Sequence, residues 1–129
     1  MKRSAGPKRR VAASMMRARQ TRGRIWIESA GRAVFTDAAA DLIEQIGACG
    51  SLSEAARRLG FSYRRAWMLL DRTNRAWPRK LVVSTTGGRR GGGASVTELG
   101  TFVLRTYRDL QLQLEHLLDT AGDPFAAGV

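Results

Sequence analysis

The sequence predicts a mainly α domain of mixed α+β composition, and three observations predict it. Ser or Thr residues stand ahead of apolar-periodic runs at Thr36, at Ser51 or Ser53, at Ser62 and at Thr97, as helix N-caps do. Glycine and proline stand where those runs stop, at Gly47–Gly50, Gly60 and Pro78. Two short stretches, Arg24–Ser29 and Leu81–Thr86, carry strand signals beside glycine-rich turns. With 129 residues, 43% of them hydrophobic and 26% charged, the chain reads as one domain large enough to bury a core.

The elements follow in order. RIWIES (Arg24–Ser29) alternates apolar and polar side chains, and AGR leads into AVF (Ala33–Phe35), which predicts an N-terminal β-hairpin. Thr36 then caps a helix with Asp37 and Asp41 near its positive end and Leu42, Ile43 and Ile46 on its apolar face; it is expected to fail at Gly47–Gly50. SEAARRL forms a short second helix stopped by Gly60. Ser62 caps a third, YRRAWMLLDRTNRAW, which Pro78 ends. LVVSTT is β-branched and reads as a strand, with SVT beyond the glycines as its return. Thr97 and Glu98 open a last helix running to about Thr120, and AGDPFAAGV frays. The expected boundaries are a disordered basic arm over 1–22, the folded domain over 23–121 and a frayed end over 122–129.

Hairpin, helix, helix–turn–helix, strand, glycine loop, strand, helix is the order of a winged helix–turn–helix domain. The steric logic of its central motif is legible in SLSEAARRLGFSYRRAWMLL. Close approach of the two helices calls for small residues, supplied by Ala55 and Ala56, and the sharp turn calls for a left-handed residue, supplied by Gly60. Leu52, Leu59 and Phe61 fill the angle between the helices, while Ala66, Leu69 and Leu70 return the buried side of the second. Ser62, Tyr63, Arg64 and Arg65 then fall on an exposed first turn, the part of this motif that meets base edges. Arginine there is suited to bidentate contact with guanine O6 and N7. Ser51 and Ser53 at the start of the preceding helix join the candidate DNA-contacting set. So does Trp67, although an aromatic at that spacing more often packs in a core or interface.

Charge points to the same partner. Twenty-two Lys+Arg against eleven Asp+Glu leave a net +11 and a sequence pI near 11.4, which favours a polyanion, nucleic acid first and an anionic membrane surface second. The distribution is polarised: residues 57–90 carry +9, whereas 23–56 and 91–129 each carry −3. Residues 1–22 hold eight basic residues and no acid, without periodicity, the composition of an arm that does not order itself; Met15 or Met16 is an alternative start. No apolar run approaches the roughly 20 residues of a membrane span, and Val11–Met16 is too short for a signal-peptide core. The lone Cys49 reads as a small buried hydrophobe in a reducing compartment, so the expected location is the cytoplasm, with no membrane partner.

Thr86–Thr97, TGGRRGGGASVT, sets a choice between a phosphate loop, a linker and a wing. A P-loop ends in Lys and Ser/Thr and runs into a helix; this stretch has neither feature. As the tip of a β-wing it fits: glycines let the turn invert and approach a duplex, and Arg89 and Arg90 reach phosphates or a narrow minor groove. On the last helix Val103, Tyr107, Leu110, Leu114, Leu117 and Ala121 recur in an a/d pattern, with Leu112 and Leu118 on a second edge. Leu99 and Phe102 in the first turn belong to the domain's own core; beyond Leu110 the helix outruns so small a core, which predicts a homodimer. Two recognition helices then lie roughly 34 Å, one DNA turn, apart. His116 stands alone beside Glu115, and no triad, carboxylate pair or metal-ligand cluster appears; neither enzyme activity nor a cofactor is expected.

The hairpin, GSLSEAARRLGFSYRRAW, Asn74 and above all TGGRRGGGASVTELG closely resemble the DNA-binding domain of molybdate-responsive transcriptional regulators of the ModE type, over roughly Arg24–Leu118. SLSEAARRLG and VTELG are more loosely similar to the winged domain of LysR-type regulators. The resemblance implies a dimer on a palindromic operator of molybdate-uptake or molybdoenzyme genes. It places Ser62, Tyr63, Arg64 and Arg65 in the major groove and Arg89 and Arg90 on the wing. Regulators of that type continue into C-terminal oxyanion-binding domains, whereas this sequence ends at Val129, so the likeness carries a stand-alone DNA-binding part. Molybdate, or a separate oxyanion-sensing partner, is not supported by these residues. Two other readings stand beside it: an architectural, sequence-tolerant nucleoid-type DNA binder, and a protein-interaction module that has left DNA.

Overall fold

The computed structural model describes residues 19–85 and 92–128. The described chain falls into two compact units, Ile25–Leu112 and the described parts of Met1–Arg24 and Gln113–Val129. The larger unit has the winged helix–turn–helix order. β1 (Ile27–Ser29) and β2 (Arg32–Phe35) pair antiparallel, followed by α1 (Asp37–Cys49), α2 (Leu52–Leu59) and α3 (Tyr63–Arg75). β3 (Val82–Thr85) and β4 (Gly93–Val96) form a second antiparallel pair in unbroken register from Val82↔Val96 to Thr85↔Gly93. α4 (Glu98–Ala121) runs on from the larger unit into the smaller.

The caps explain the boundaries. Thr36 accepts from Ala39 N, Ser51 from Glu54 N and Ser62 from Arg65 N, each at 3.1–3.2 Å, while Thr97 Oγ1 accepts from Gly100 N at 3.0 Å. Each satisfies an amide that the first helical turn leaves without a partner. Of the two serines expected before α2, Ser51 is the cap. α1 does not fail at Gly47: one glycine in a helix costs about 1 kcal/mol relative to alanine, and buried Ile46 holds the turn. It stops at Gly50, left-handed at φ 71°, whose N–H reaches Ile46 O at 2.7 Å. α3 ends at Arg75, short of the expected Trp77. The residue before Pro78 is pushed out of helical geometry, and the Trp77 indole donates instead to Val34 O at 3.2 Å.

One core serves the larger unit. Leu42, Ile43 and Ile46 of α1, Ala55 and Ala56 of α2, Ala66 of α3, Leu81 and Val82 of β3, and Val103 and Tyr107 of α4 are buried together with Phe35. Phe35 sits edge-on to Trp77 (6.4 Å between centroids) and Tyr107 (5.1 Å). Gly100 lies so close to Leu81 O that a Cβ there would overlap it, which brings the start of α4 directly against β3. Phe102, expected in this core, is 65% exposed, because it precedes buried Val103 by about 100° of helix.

In the smaller unit Thr21 N and Oγ1 both donate to Gly122 O, at 2.9 and 2.8 Å, and Arg19 pairs with Asp123 at 3.8 Å. Residues 19–22 and 122–123, expected in a loose arm and a frayed end, therefore tie each other down. The remainder of the arm, residues 1–18, lies outside the described residues. Among those described, no helix is long and apolar enough to cross a membrane.

Candidate nucleic-acid interface

The helix–turn–helix is built from small residues upward. Ala55, Ala56 and Ala66 are all but inaccessible, so α2 and α3 meet nearly backbone to backbone. Gly60, at φ 71°, makes the turn between them, its N–H directed to Ala56 O and Arg57 O. That turn leaves the N-terminal half of α3 facing solvent: Ser62, Tyr63, Arg64, Arg65, Trp67 and Met68 are all exposed. Tyr63, Trp67 and Met68 stay 49–58% exposed, a large apolar area to leave in water on so small a domain.

The two arginines of this turn differ. Arg65 lies over the Phe61 ring, 4.0 Å from its centroid, which fixes its guanidinium by a cation–π contact. Arg64 has no ion-pair partner among the described residues. On α2, Glu54 binds Arg57 at 2.6 Å and Arg58 at 3.4 Å, so one carboxylate offsets one of those two positive charges within their own helix. The hydrogen bond from Arg57 holds the Glu54 carboxyl below its ordinary range, against slight burial, with Arg58 adding to the effect.

Ser51, Ser53, Tyr63 and Trp67 face Lys80 and Ser84 across an open groove of about 520 Å³ between the helix pair and the second hairpin. Asn74 braces that hairpin. Its Oδ1 accepts from Leu81 N at 2.9 Å and Val82 N at 3.2 Å, and its Nδ2 donates to Val82 O at 3.1 Å. From the other side Thr97 N and Oγ1 donate to Leu81 O, and Ala94 N donates to Gly50 O. The wing therefore has a fixed root, while Arg89 and Arg90, expected at its tip, lie outside the described residues.

Of the expected dimer residues, Val103 and Tyr107 are buried within this chain, at 5% and 1% exposure. Tyr107 Oη donates to Ile25 O at 2.7 Å. Their side chains are consumed by the core and are not available to a second copy, a correction to the a/d reading. Leu110 and Leu114 are half-buried, Leu114 lying against Gly23, whereas Leu112 and Leu117 are exposed. Arg108 ties α4 to α1 through Asp41 (2.8 Å) and Glu44 (3.0 Å). Partial burial, the largest single influence, lowers its pKa; the hydrogen bond to Asp41 and the charges of Glu44 and Asp41 outweigh it and raise it overall. Among the described residues no group of three His, Cys, Asp or Glu could hold a metal ion.

No family model matches the chain. It is 36% identical over 85 residues to the molybdenum transport protein ModE of Azotobacter vinelandii, covering 66% of this chain and 32% of that protein. To the transcriptional regulator ModE of Haemophilus influenzae it is 37% identical over 75 residues, 58% of this chain and 29% of that protein. The relatives it matches are named ModE or MopB. The DNA-binding transcriptional dual regulator ModE of Escherichia coli K12 is a further one, 36% identical over 74 residues, 57% of this chain and 28% of that protein. The chain matches about a third of the length of these curated relatives.

The Met68 surface, the Arg65–Phe61 contact and the Asn74 brace were not assigned a site role from sequence. Phe61 four residues before Arg65 was a usable signal for the second; nothing local marks the partners of Asn74.

Proposed function

We propose that the protein is a sequence-specific DNA-binding regulator of transcription that acts as a homodimer on a palindromic operator. The observation that carries the reading is the first turn of α3: capped by Ser62, set on a close-packed alanine interface, and presenting Tyr63, Arg64 and Arg65 to solvent. In this reading Arg64 contacts a guanine edge in the major groove. Arg65, held over Phe61, presents its remaining donors beside it, and Trp67 and Tyr63 supply apolar contact. Ser51 and Ser53 meet the backbone at the groove edge, and Arg89 and Arg90 reach the duplex from the wing. The dimer forms through the later part of α4, around Leu110, Leu114 and Leu117, without Val103 and Tyr107. Genes of molybdenum transport are the proposed targets, following the names of the relatives.

Selection of bound duplexes from a random pool, with and without molybdate, tests the reading. The expected result is an enriched inverted repeat whose half-sites lie about one helical turn apart. A pool that stays random despite salt-sensitive binding overturns sequence-specific recognition in favour of sequence-tolerant binding. Comparison of the two arms decides whether molybdate acts on this chain. Arg64→Ala is expected to cost about 1–3 kcal/mol on the selected duplex and to relax one base position; equal loss on every duplex overturns the base contact.

A further inference from the structure

A second basic surface lies along α3, against the first hairpin. The turn and second strand of the first hairpin and the C-terminal half of α3 enclose an open groove of about 710 Å³, into which Arg32, Arg72 and Arg75 all face. Among the described residues Asp71 is its only acid, and Asp71 is already engaged by Arg75 at 3.0 Å. Arg32 and Arg72 have no ion-pair partner among the described residues, so the groove keeps two positive charges unmatched. The remaining walls are small: Ala33, Val34 and Ala76, with the Ser29 hydroxyl as a further donor. Arg32 is placed by a rigid device. Ala30 (φ 52°) and Gly31 (φ 77°) form a two-residue turn that sets Arg32 opposite Ser29.

We propose that this groove holds the sugar-phosphate backbone of the same duplex that the first turn of α3 reads, beside the half-site. The inference rests on the DNA-binding function proposed above. Spacing along α3 supports it. Arg72 and Arg75 stand eight and eleven residues beyond Arg64, about 12 and 16 Å along the helix axis. The major groove is about 12 Å wide, so a helix with Arg64 at the base edges carries the two later arginines to the flanking phosphates. A concave site of three guanidinia and a hydroxyl, with one carboxylate already satisfied, suits a chain of phosphodiesters. The first hairpin thus acts as a second wing.

The test is a salt series of binding titrations with the full chain, on a duplex from the selected pool and a random duplex of equal length. The variants are Arg32→Ala, Arg72→Ala and the two combined, with Arg105→Ala on exposed α4 as the control for lost charge. Thermal melting verifies that each stays folded, as expected for exposed side chains. The double variant is expected to lower the slope of log K against log salt by about 1.8, from about 0.9 per phosphate contact. Both duplexes should weaken by the same factor, leaving their ratio intact, and hydroxyl-radical footprints should lose protection only beside the half-site. Arg105→Ala should leave the slope in place. A double variant whose slope equals that of wild type or of Arg105→Ala overturns the groove alone, as does protection lost elsewhere. Wild-type protein that binds neither duplex overturns the DNA-binding function and the groove together.

Discussion

The two hairpins differ in how they are held. β1–β2 is part of the core: Phe35 is wedged between Trp77 and Tyr107, and the indole and phenol of those two rings bind Val34 O and Ile25 O. β3–β4 is held differently, by hydrogen bonds at Leu81 and Val82 and by Ala94 N on Gly50 O. Leu81 and Val82 are buried and held by Asn74 and Thr97, while Val83, Ser84 and Thr85 stand out in solvent. The difference teaches how one small domain anchors two hairpins in two ways: the first by aromatic packing in the core, the second by side-chain and backbone hydrogen bonds from Asn74, Thr97 and Gly50.

The comparison can be broken at its strongest point first. Phe35→Ala empties the space between two rings and is expected to cost about 3–5 kcal/mol in global stability, measured by denaturant unfolding. A loss below 1 kcal/mol would mean that the first hairpin is no more anchored than the second. Asn74→Ala should cost less, about 1–3 kcal/mol, by leaving Leu81 N and Val82 N without their acceptor. Its signature is local: amide exchange should accelerate in β3–β4 and not in β1–β2, and equal acceleration in both would show that Asn74 supports the whole core.

Tyr107→Phe keeps the ring packing and removes only the bond to Ile25 O, for an expected loss of about 1 kcal/mol by the same unfolding measurement. This separates the polar tie of the first hairpin from its aromatic anchor. The smallest effect belongs to neither hairpin and serves as their reference. Glu54, whose carboxyl is held low chiefly by Arg57, contributes stability above the ordinary glutamate pKa and loses it as pH falls through its lowered folded value. Glu54→Gln should therefore shallow the acid limb of a melting-temperature profile slightly and leave the neutral plateau of both hairpins unchanged; an identical acid limb would show that the pair is screened to nothing.

Much of the helix–turn–helix was legible before any coordinates. Alanine at 55, 56 and 66, glycine at 60 and serine at 62 each have one local reason to be where they are, and local reasons survive in sequence. The a/d pattern on α4 was legible too, and misleading in its first half. Val103 and Tyr107 fit an interhelical seam and an intradomain face equally well, because periodicity states which side of a helix is apolar and not what covers it. Phe102 failed for the complementary reason, its apolar character implying a core that the helix rotation denies it.

The sequence by itself determined the order of elements, the caps and stops that bound them, and the concentration of positive charge around the helix–turn–helix, since these depend on neighbours a few residues away. Only the tertiary structure decided how that charge is divided. It pairs Arg57 and Arg58 with the single carboxylate of Glu54, sets Arg65 on Phe61, leaves Arg64 free of an ion-pair partner among the described residues, and gathers Arg32 with Arg72 and Arg75 from segments forty residues apart. A guanidinium acts on whatever lies within a few ångströms of it, and that neighbourhood is made by packing rather than by position in the chain.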